Sequence, residues 1–161
     1  MTQYPDKNPG IRPGWLLIIL IFLASCCHEK PIEKRICFPT GSWQRYNVLK
    51  FDLPVTESEK SYDVIFELRC KKSFAYDELP LNMVLKTPSG EERIKEYLIQ
   101  IRDKNGTFTG TLNGDTCITT VFLKKNLYCS RKGIMKVEIE NLNPRMETEA
   151  VISAGLILIQ R

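Results

Sequence analysis

The stretch Tyr62-Asp63-Val64-Ile65-Phe66-Glu67-Leu68-Arg69-Cys70 decides the fold, because large apolar residues alternate along it with largely polar ones. Successive side chains of a β-strand point to opposite faces, so the even positions from Tyr62 to Leu68 share one face. A helix would need apolar residues three and four positions apart instead. The stretch therefore predicts a strand with one face in a hydrophobic core.

Seven further segments carry β-prone residues, and turn signals such as Pro88-Ser89-Gly90 and Asn113-Gly114 separate them. The charged residues at 91–97 also allow a short helix, but the β-prone run at 97–101 favours a strand there. About eight short antiparallel strands predict an all-β fold, namely a single β-sandwich of jelly-roll or immunoglobulin-like type over residues 42–161. The seven additional strands are predicted at 47–53, 81–86, 94–102, 107–112, 116–123, 134–140 and 151–160.

The first 25 residues have the pattern of a lipoprotein signal peptide. An apolar run from Trp15 ends in Leu23-Ala24-Ser25-Cys26, which is similar to a bacterial lipobox. A membrane-spanning helix needs about 20 apolar residues, and Pro13-Gly14 stops this shorter run from extending backwards. We predict that residues 1–25 are removed and that Cys26 receives the lipid. The alternative, a signal peptide cut without lipidation, gives no reason for a cysteine at this position.

Residues 26–41 are predicted to form a lipid-anchored, flexible tether. The segment is rich in charged residues from Glu29 to Arg35 and has few apolar residues to bury. Two or more acyl chains anchor a protein stably to a membrane. A lipidated Cys26 would therefore hold the domain on a membrane without any spanning helix.

Charge and cysteine content exclude two classes of partner. The 23 basic and 19 acidic residues give a net charge of +4 without a basic block, so we predict no nucleic-acid binding. The cysteines beyond the anchor lack the paired spacing of a metal site, and His28 is the only histidine. An envelope location permits up to two disulfides, with connectivity that the sequence leaves open. These five cysteines are Cys27, Cys37, Cys70, Cys117 and Cys129.

The sequence offers no group of residues that would converge on a catalytic site. His28 lies in the predicted tether, whereas catalytic groups need tight positioning. The adjacent acids Asp77-Glu78 and Glu91-Glu92 would point to opposite faces of a strand. The turn at 103–106 is similar to the start of a calcium loop, but position 114 is a glycine where the distal glutamate is required. We therefore predict no enzymatic activity, no catalytic residue, no metal and no cofactor.

Two interpretations of the aromatic residues remain open. Trp43, Tyr46, Phe74, Tyr76 and Phe108 could form a stacking platform for sugars, or they could fill the core, as large apolar side chains more often do. Phe74 and Tyr76 stand in a predicted loop, where binding residues are frequent. We predict Phe74, Tyr76 and Trp43 as partner-binding candidates.

The order of features along the chain supports a family resemblance. A strand ending in Leu68-Arg69 is followed by an aromatic segment, by Pro88-Ser89-Gly90 and by a glycine-bounded Thr107-Phe108-Thr109. Together with the lipobox, these features resemble the gliding-motility lipoprotein family GldH of the Bacteroidota. Glu78-Leu79 stands where family members carry Asn-Leu, so the chain resembles a divergent member.

The resemblance implies a cell-envelope lipoprotein that works with proteins of the gliding machinery and its associated protein secretion system. It supplies no catalytic residues. Cys27 rather than aspartate follows Cys26, so the inner-membrane retention signal of some bacteria is not matched, and the outer membrane is the expected location. A lipid-anchored carbohydrate-binding module is the alternative function.

Overall fold

The computed structural model describes residues 30–161, and every regular element in them is a β-strand. Each of the eight predicted strands overlaps an observed one, which confirms the all-β class and favours strand over helix at 91–97, although the strand predicted at 107–112 begins only at Thr111. Three further strands, Ile32–Cys37, Ser42–Gln44 and Glu147–Glu149, were not predicted. The strands are β1 (Ile32–Cys37), β2 (Ser42–Gln44), β3 (Leu49–Val55), β4 (Lys60–Lys71), β5 (Glu78–Lys86), β6 (Glu92–Gln100), β7 (Thr111–Asn113), β8 (Thr116–Cys129), β9 (Gly133–Asn141), β10 (Glu147–Glu149) and β11 (Val151–Gln160).

The strands form two main sheets and one small ribbon. One sheet has five strands in the order β1-β11-β4-β8-β7, and the other has four in the order β3-β9-β5-β6. β2 and β10 pair separately, and every pairing in residues 30–161 is antiparallel. Side chains from both sheets meet in one hydrophobic core, so the predicted β-sandwich is confirmed. Core residues include Leu53, Leu81, Leu85 and Val137 of one sheet, and Phe66, Leu127 and Leu156 of the other.

The strand that predicted the fold lies at the centre of the five-stranded sheet. β4 pairs with β11 on one side and β8 on the other. Its even positions Tyr62, Val64, Phe66 and Leu68 are at most 1% exposed, as the alternation predicted. On its opposite face, Asp63 and Glu67 are also buried, and they form ion pairs with Arg161 and Arg35 respectively.

The prediction of a tether over 26–41 is wrong for residues 32–37. These residues form β1, which pairs with β11 from Ile32 opposite Leu158 to Cys37 opposite Ser153. Ile32 and Ile36 pack against the core, while the charged residues between them stay exposed at the edge of the sheet. An edge strand tolerates such charges. The high charge of this segment therefore led to the wrong prediction, because the segment becomes a strand only by pairing with β11.

Candidate functional site

The five-stranded sheet has two ends, and β1 starts at one of them with Ile32. β1 reaches the other end at Cys37, where β4 also ends with Lys71 and β11 begins with Val151. Three segments therefore lie close together at this end, namely those that follow Cys37, that follow Lys71 and that precede Val151. We call this end, which is opposite to Ile32, the distal end.

The loop of residues 72–77 joins β4 to β5 at the distal end, and a single guanidinium group holds it. Arg102 donates hydrogen bonds to the carbonyl oxygens of Phe74 at 2.6 Å, Tyr76 at 3.3 Å and Lys72 at 3.4 Å. Its side chain is only 16% exposed and stacks on Phe108, with 4.3 Å between guanidinium carbon and ring centroid. Hydrogen bonds from a charged donor are about twice as strong as neutral ones. Arg102 thus fixes the backbone of the loop.

Within this loop, a buried phenylalanine supports a tyrosine at the surface. Phe74 is completely buried, and the ring of Tyr76 stands edge-on against it with 5.5 Å between centroids. Edge-to-face packing of this kind is favourable for aromatic pairs. Tyr76 is half-buried, so the remaining part of its ring is open to solvent. The loop therefore presents one aromatic ring in a fixed orientation.

Tyr76 lines a cleft of about 620 Å³ at the distal end. The cleft is bounded by loop 72–77, by the β2–β10 ribbon and by residues 40–42. Its charged groups include two cations and two acids, so it offers both hydrogen-bond donors and acceptors. These charged lining residues are Lys71, Arg145, Glu147 and Glu149. No histidine or cysteine is among its lining residues.

Trp43 lies beneath the ribbon and attaches it to the core. It pairs with Thr148 across β2 and β10, and its ring stacks on Phe38 with 5.6 Å between centroids. Its indole Nε1 donates a hydrogen bond to the carbonyl oxygen of Asn47 at 2.9 Å. The only polar atom of the indole is therefore satisfied inside the protein, as a buried tryptophan requires.

Two of the three predicted partner-binding residues are not available to a partner. Trp43 and Phe74 are both 0% exposed, which contradicts their prediction as surface aromatics. Burial of their large apolar area in the core explains this outcome. Tyr76 alone of the three reaches the surface. Of the two interpretations of the aromatic residues, the core is therefore correct for Trp43 and Phe74, and these two residues form no platform for sugars.

Arg102, Glu147 and Glu149 were not predicted from the sequence. Arg102 stands two residues after the end of β6 and 28 positions after Phe74, and nothing in the local pattern links the two residues. The acids stand in a three-residue strand that was too short to predict. The cleft is thus assembled by contacts between distant segments.

Four cysteines belong to residues 30–161, and all four are free thiols. Cys37 is exposed, whereas Cys70, Cys117 and Cys129 are buried. Burial raises the pKa of Cys70 to about 12, with a further contribution from the adjacent Cys117. Such thiols carry almost no nucleophilic thiolate near neutral pH. Cys26, Cys27 and His28 lie outside the described residues.

No cluster of three or more histidine, cysteine or acidic residues that could hold a metal ion occurs in the part of the chain from 30 onward. No helix of that part could cross a membrane.

Comparisons with known proteins point to one family. The family model of the GldH lipoproteins matches residues 32–158. The chain is 30% identical over 134 residues to the gliding motility lipoprotein GldH of Flavobacterium johnsoniae, covering 83% of this chain and 80% of that protein. It is 25% identical over 126 residues to a GldH homolog of Christiangramia forsetii, covering 78% and 77% respectively.

Among solved structures, a subviral particle protein of infectious bursal disease virus, VP2, aligns at 14% identity and a TM-score of 0.37. That alignment covers 83% of this chain and 33% of the viral one. A similarity at this level carries no functional argument.

Proposed function

Because this chain belongs to the GldH lipoprotein family, we propose that it is a membrane-anchored envelope lipoprotein that serves the gliding machinery and its associated secretion system without being an enzyme. Cys26 is the proposed lipid attachment site, and the outer membrane is the proposed location. Proteins of the envelope assembly are the proposed partners. The segments 1–25 and 26–31 are the proposed signal peptide and linker.

The observation that carries this proposal is the extent of the family match. It covers residues 32–158, from the first residue of β1 into β11. The similarity therefore lies in the folded sandwich itself, and not merely in a signal peptide that many exported proteins share. Both curated relatives are named as lipoproteins of gliding motility or as homologs of one.

The geometry of the sandwich supports a role in binding partners. Ile32, the first residue of β1, follows Cys26 by only six positions. Six residues span at most about 20 Å, so a lipid on Cys26 would keep the Ile32 end of the sandwich close to the membrane. The cleft beside Tyr76 lies at the distal end. It would face away from the membrane, where a partner can reach it.

Replacement of the two adjacent cysteines tests the anchor. We expect the Cys26→Ala protein to remain uncleaved or to lack the lipid. The Cys27→Ala protein should remain lipidated and sediment with the outer membrane. Mass spectrometry of the N-terminal peptide and membrane fractionation give the readouts. A lipid-modified Cys26→Ala protein, or an unmodified wild-type protein, would contradict lipidation at Cys26.

Deletion of the gene in its own gliding or secreting host tests the cellular role. We expect loss of spreading on agar and of secretion, restored by the wild-type gene and by Cys27→Ala. A matched pair, Tyr76→Ala and Tyr76→Phe, tests the cleft, because the second change keeps the ring. A deletion strain with normal spreading and normal secretion would refute the proposed role.

Binding of a carbohydrate is the second candidate function, and the cleft is the observation that favours it. An aromatic ring beside hydroxyl, amide and charged groups is suited to sugars, which present both apolar faces and hydroxyl groups. A glycan array with the purified protein should give signals that Tyr76→Ala abolishes and Tyr46→Ala keeps. Tyr46 is a fair control, since it is 72% exposed and is not among the residues that line the cleft.

A further inference from the structure

β6 leaves one of its two sides open. It forms the margin of the four-stranded sheet and pairs over its whole length with β5, from Glu92 opposite Lys86 to Gln100 opposite Glu78. On its other side, no strand formed by residues 30–161 pairs with it. Proteins normally protect such an edge with charged side chains, prolines, bulges or a covering segment. β6 contains no proline, and its register with β5 runs without a shift. Its exposed Lys95 is a protecting charge, which a strand that brings an acid beside Lys95 would neutralise.

The backbone groups on the open side can be assigned from the two ends of the ladder. At one end, the N–H of Ile101 donates a hydrogen bond to the carbonyl oxygen of Asp77. At the other end, the N–H of Thr87 donates one to the carbonyl oxygen of Glu91. In an antiparallel pair, alternate residues bond to the partner strand, so the odd positions of β6 face β5. The N–H and C=O groups of Ile94, Glu96 and Leu98 therefore point to the open side.

The side chains of the same residues leave apolar surface uncovered. Ile94 is 65% exposed and Leu98 is 61% exposed on the outer face of the sheet. They flank Glu96, which is also exposed. A strand added beside β6 would bring its own side chains against Ile94 and Leu98, because cross-strand neighbours on one face are in contact.

The inner face of the same edge has a different character. A groove of about 340 Å³ lies there between β6 and β8, with Met83 and Leu85 among its lining residues. The hydroxyl of Tyr97 donates a hydrogen bond to the carbonyl oxygen of Leu123, and both residues line the groove. Three cations and no acid line this groove, namely Arg93, Lys95 and Lys124. Arg93 already forms an ion pair with Glu91, so Lys95 and Lys124 are the main cations for a partner.

We propose that β6 binds an extended segment of a partner protein as an additional strand, with apolar residues on the segment's outer face and acidic residues on its inner face. The open backbone groups supply the hydrogen bonds, as in other cases of strand addition. Ile94 and Leu98 receive the apolar residues, and the cations of the groove receive the acidic ones. The inference deepens the proposed function and rests on it in one respect, the expectation that the segment belongs to an envelope protein.

A second copy of this chain fits the edge less well. Antiparallel self-pairing that aligns Ile94 with Leu98 of the other copy would place Glu96 directly opposite Glu96. Like charges in that position are destabilising. The same pairing would bring a second Lys95 to a rim that is already cationic. Charge complementarity therefore favours an acidic partner.

A library of random twelve-residue peptides displayed on phage provides the probe, with the full-length protein in detergent as the bait. We expect enrichment of peptides that alternate apolar and acidic residues. The decisive variant is Glu96→Pro, which removes one open-side N–H at a position where an edge strand tolerates proline. Its matched control, Glu96→Thr, removes the same charge but keeps the N–H. The enriched peptides should bind Glu96→Pro at least tenfold more weakly than Glu96→Thr.

Two further measurements complete the test. Lys95→Glu should weaken the binding of the acidic peptides about fivefold or more at low salt, and by a smaller factor at high salt. The amides of Ile94, Glu96 and Leu98 should exchange rapidly in the free protein and become protected with peptide. The proposal is overturned by a library without enrichment, by equal binding to both Glu96 variants when both are folded, or by a homodimer that buries β6. Membrane attachment and spreading are separate readouts, so they can fail or succeed independently of peptide binding.

Discussion

The guanidinium of Arg102 donates a hydrogen bond to the carbonyl oxygen of Phe74, with 2.6 Å between Nη2 and O, although the residues lie 28 positions apart. This contact joins the segment that follows β6 to the loop that follows β4. It holds Phe74 in the core, and through Phe74 it positions the ring of Tyr76. The shape of the distal cleft thus depends on a residue that does not line it.

Replacement of Arg102 by alanine should therefore destabilise the protein and loosen the loop. The expected loss is about 2–3 kcal/mol in the free energy of unfolding, because a charged donor is removed and buried carbonyl groups lose their partner. Urea denaturation measures this loss, and hydrogen exchange at residues 72–77 reports the loop.

The control is Arg93→Ala, which removes an exposed ion pair with Glu91 at 2.6 Å. Exposed pairs contribute about 0.2–1 kcal/mol. Equal losses for Arg102→Ala and Arg93→Ala would show that Arg102 has no special role.

Trp43 is expected to matter for stability rather than for binding. Trp43→Ala should cost about 3–5 kcal/mol, because it leaves a cavity under the β2–β10 ribbon and orphans the carbonyl oxygen of Asn47. Tyr46→Ala, at a side chain that is 72% exposed, should change stability by less than about 0.5 kcal/mol. Thermal and urea unfolding give both values. A stable Trp43→Ala protein that has lost only ligand binding would reverse this assignment.

Asp63 should make stability depend on acid pH. Burial tends to raise its pKa, but the N–H of Asn126 and the guanidinium of Arg161 outweigh burial, so the pKa lies below its usual value. A group with a lowered pKa in the folded state stabilises the protein fully above its unfolded pKa of about 3.9. That contribution is lost as the pH falls through the folded value.

Asp63→Asn should therefore be less stable than the wild type at pH 7, and the difference should shrink as the pH falls below about 4. Urea unfolding at a series of pH values measures the effect. Asp52→Asn, on the exposed face of β3, is the control for removal of a carboxylate at the surface. A difference that stays constant down to pH 2 would contradict this role of Asp63.

The thiols of the folded, reduced protein should differ sharply in reactivity. Cys37 is exposed and should react with iodoacetamide within minutes at pH 8. Cys70, whose pKa is raised to about 12 by burial and by Cys117, should react only after unfolding. Cys129, whose pKa burial also raises, should behave in the same way. Peptide mapping by mass spectrometry assigns the labels, and rapid labelling of Cys70 in folded protein would disprove the buried thiol pair.

Local patterns in the sequence were sufficient to predict most of the strands. The alternation in β4 and β9 and the turn signals at Gly90 and Gly114 depend on neighbours a few positions apart. The backbone at both glycines has positive φ, 91° and 60°, which glycine adopts without strain. The first strand was predicted to end at residue 53, yet β3 continues through Pro54 to Val55, because β3 lies at a sheet edge where a proline is tolerated.

The site could not be predicted in the same way. Phe74 and Tyr76 are separated by one residue, and the sequence pattern gives no basis for predicting different positions for them. In the structure one is buried and the other is at the surface. The strand β1 was not predicted, because most of its residues are charged. Its two isoleucines face the core only when β11 pairs with it.

The sequence by itself determined the strand periods and most turns, and it predicts a lipobox at Cys26, because each of these depends on adjacent residues. Only the tertiary structure decided that Arg102 holds the Tyr76 loop and that Trp43 belongs to the core. It also decided that no strand of residues 30–161 pairs with the outer edge of β6, beside a cationic groove. Each of these features depends on which distant segments pack together. Burial of apolar surface selects that packing over the whole chain at once.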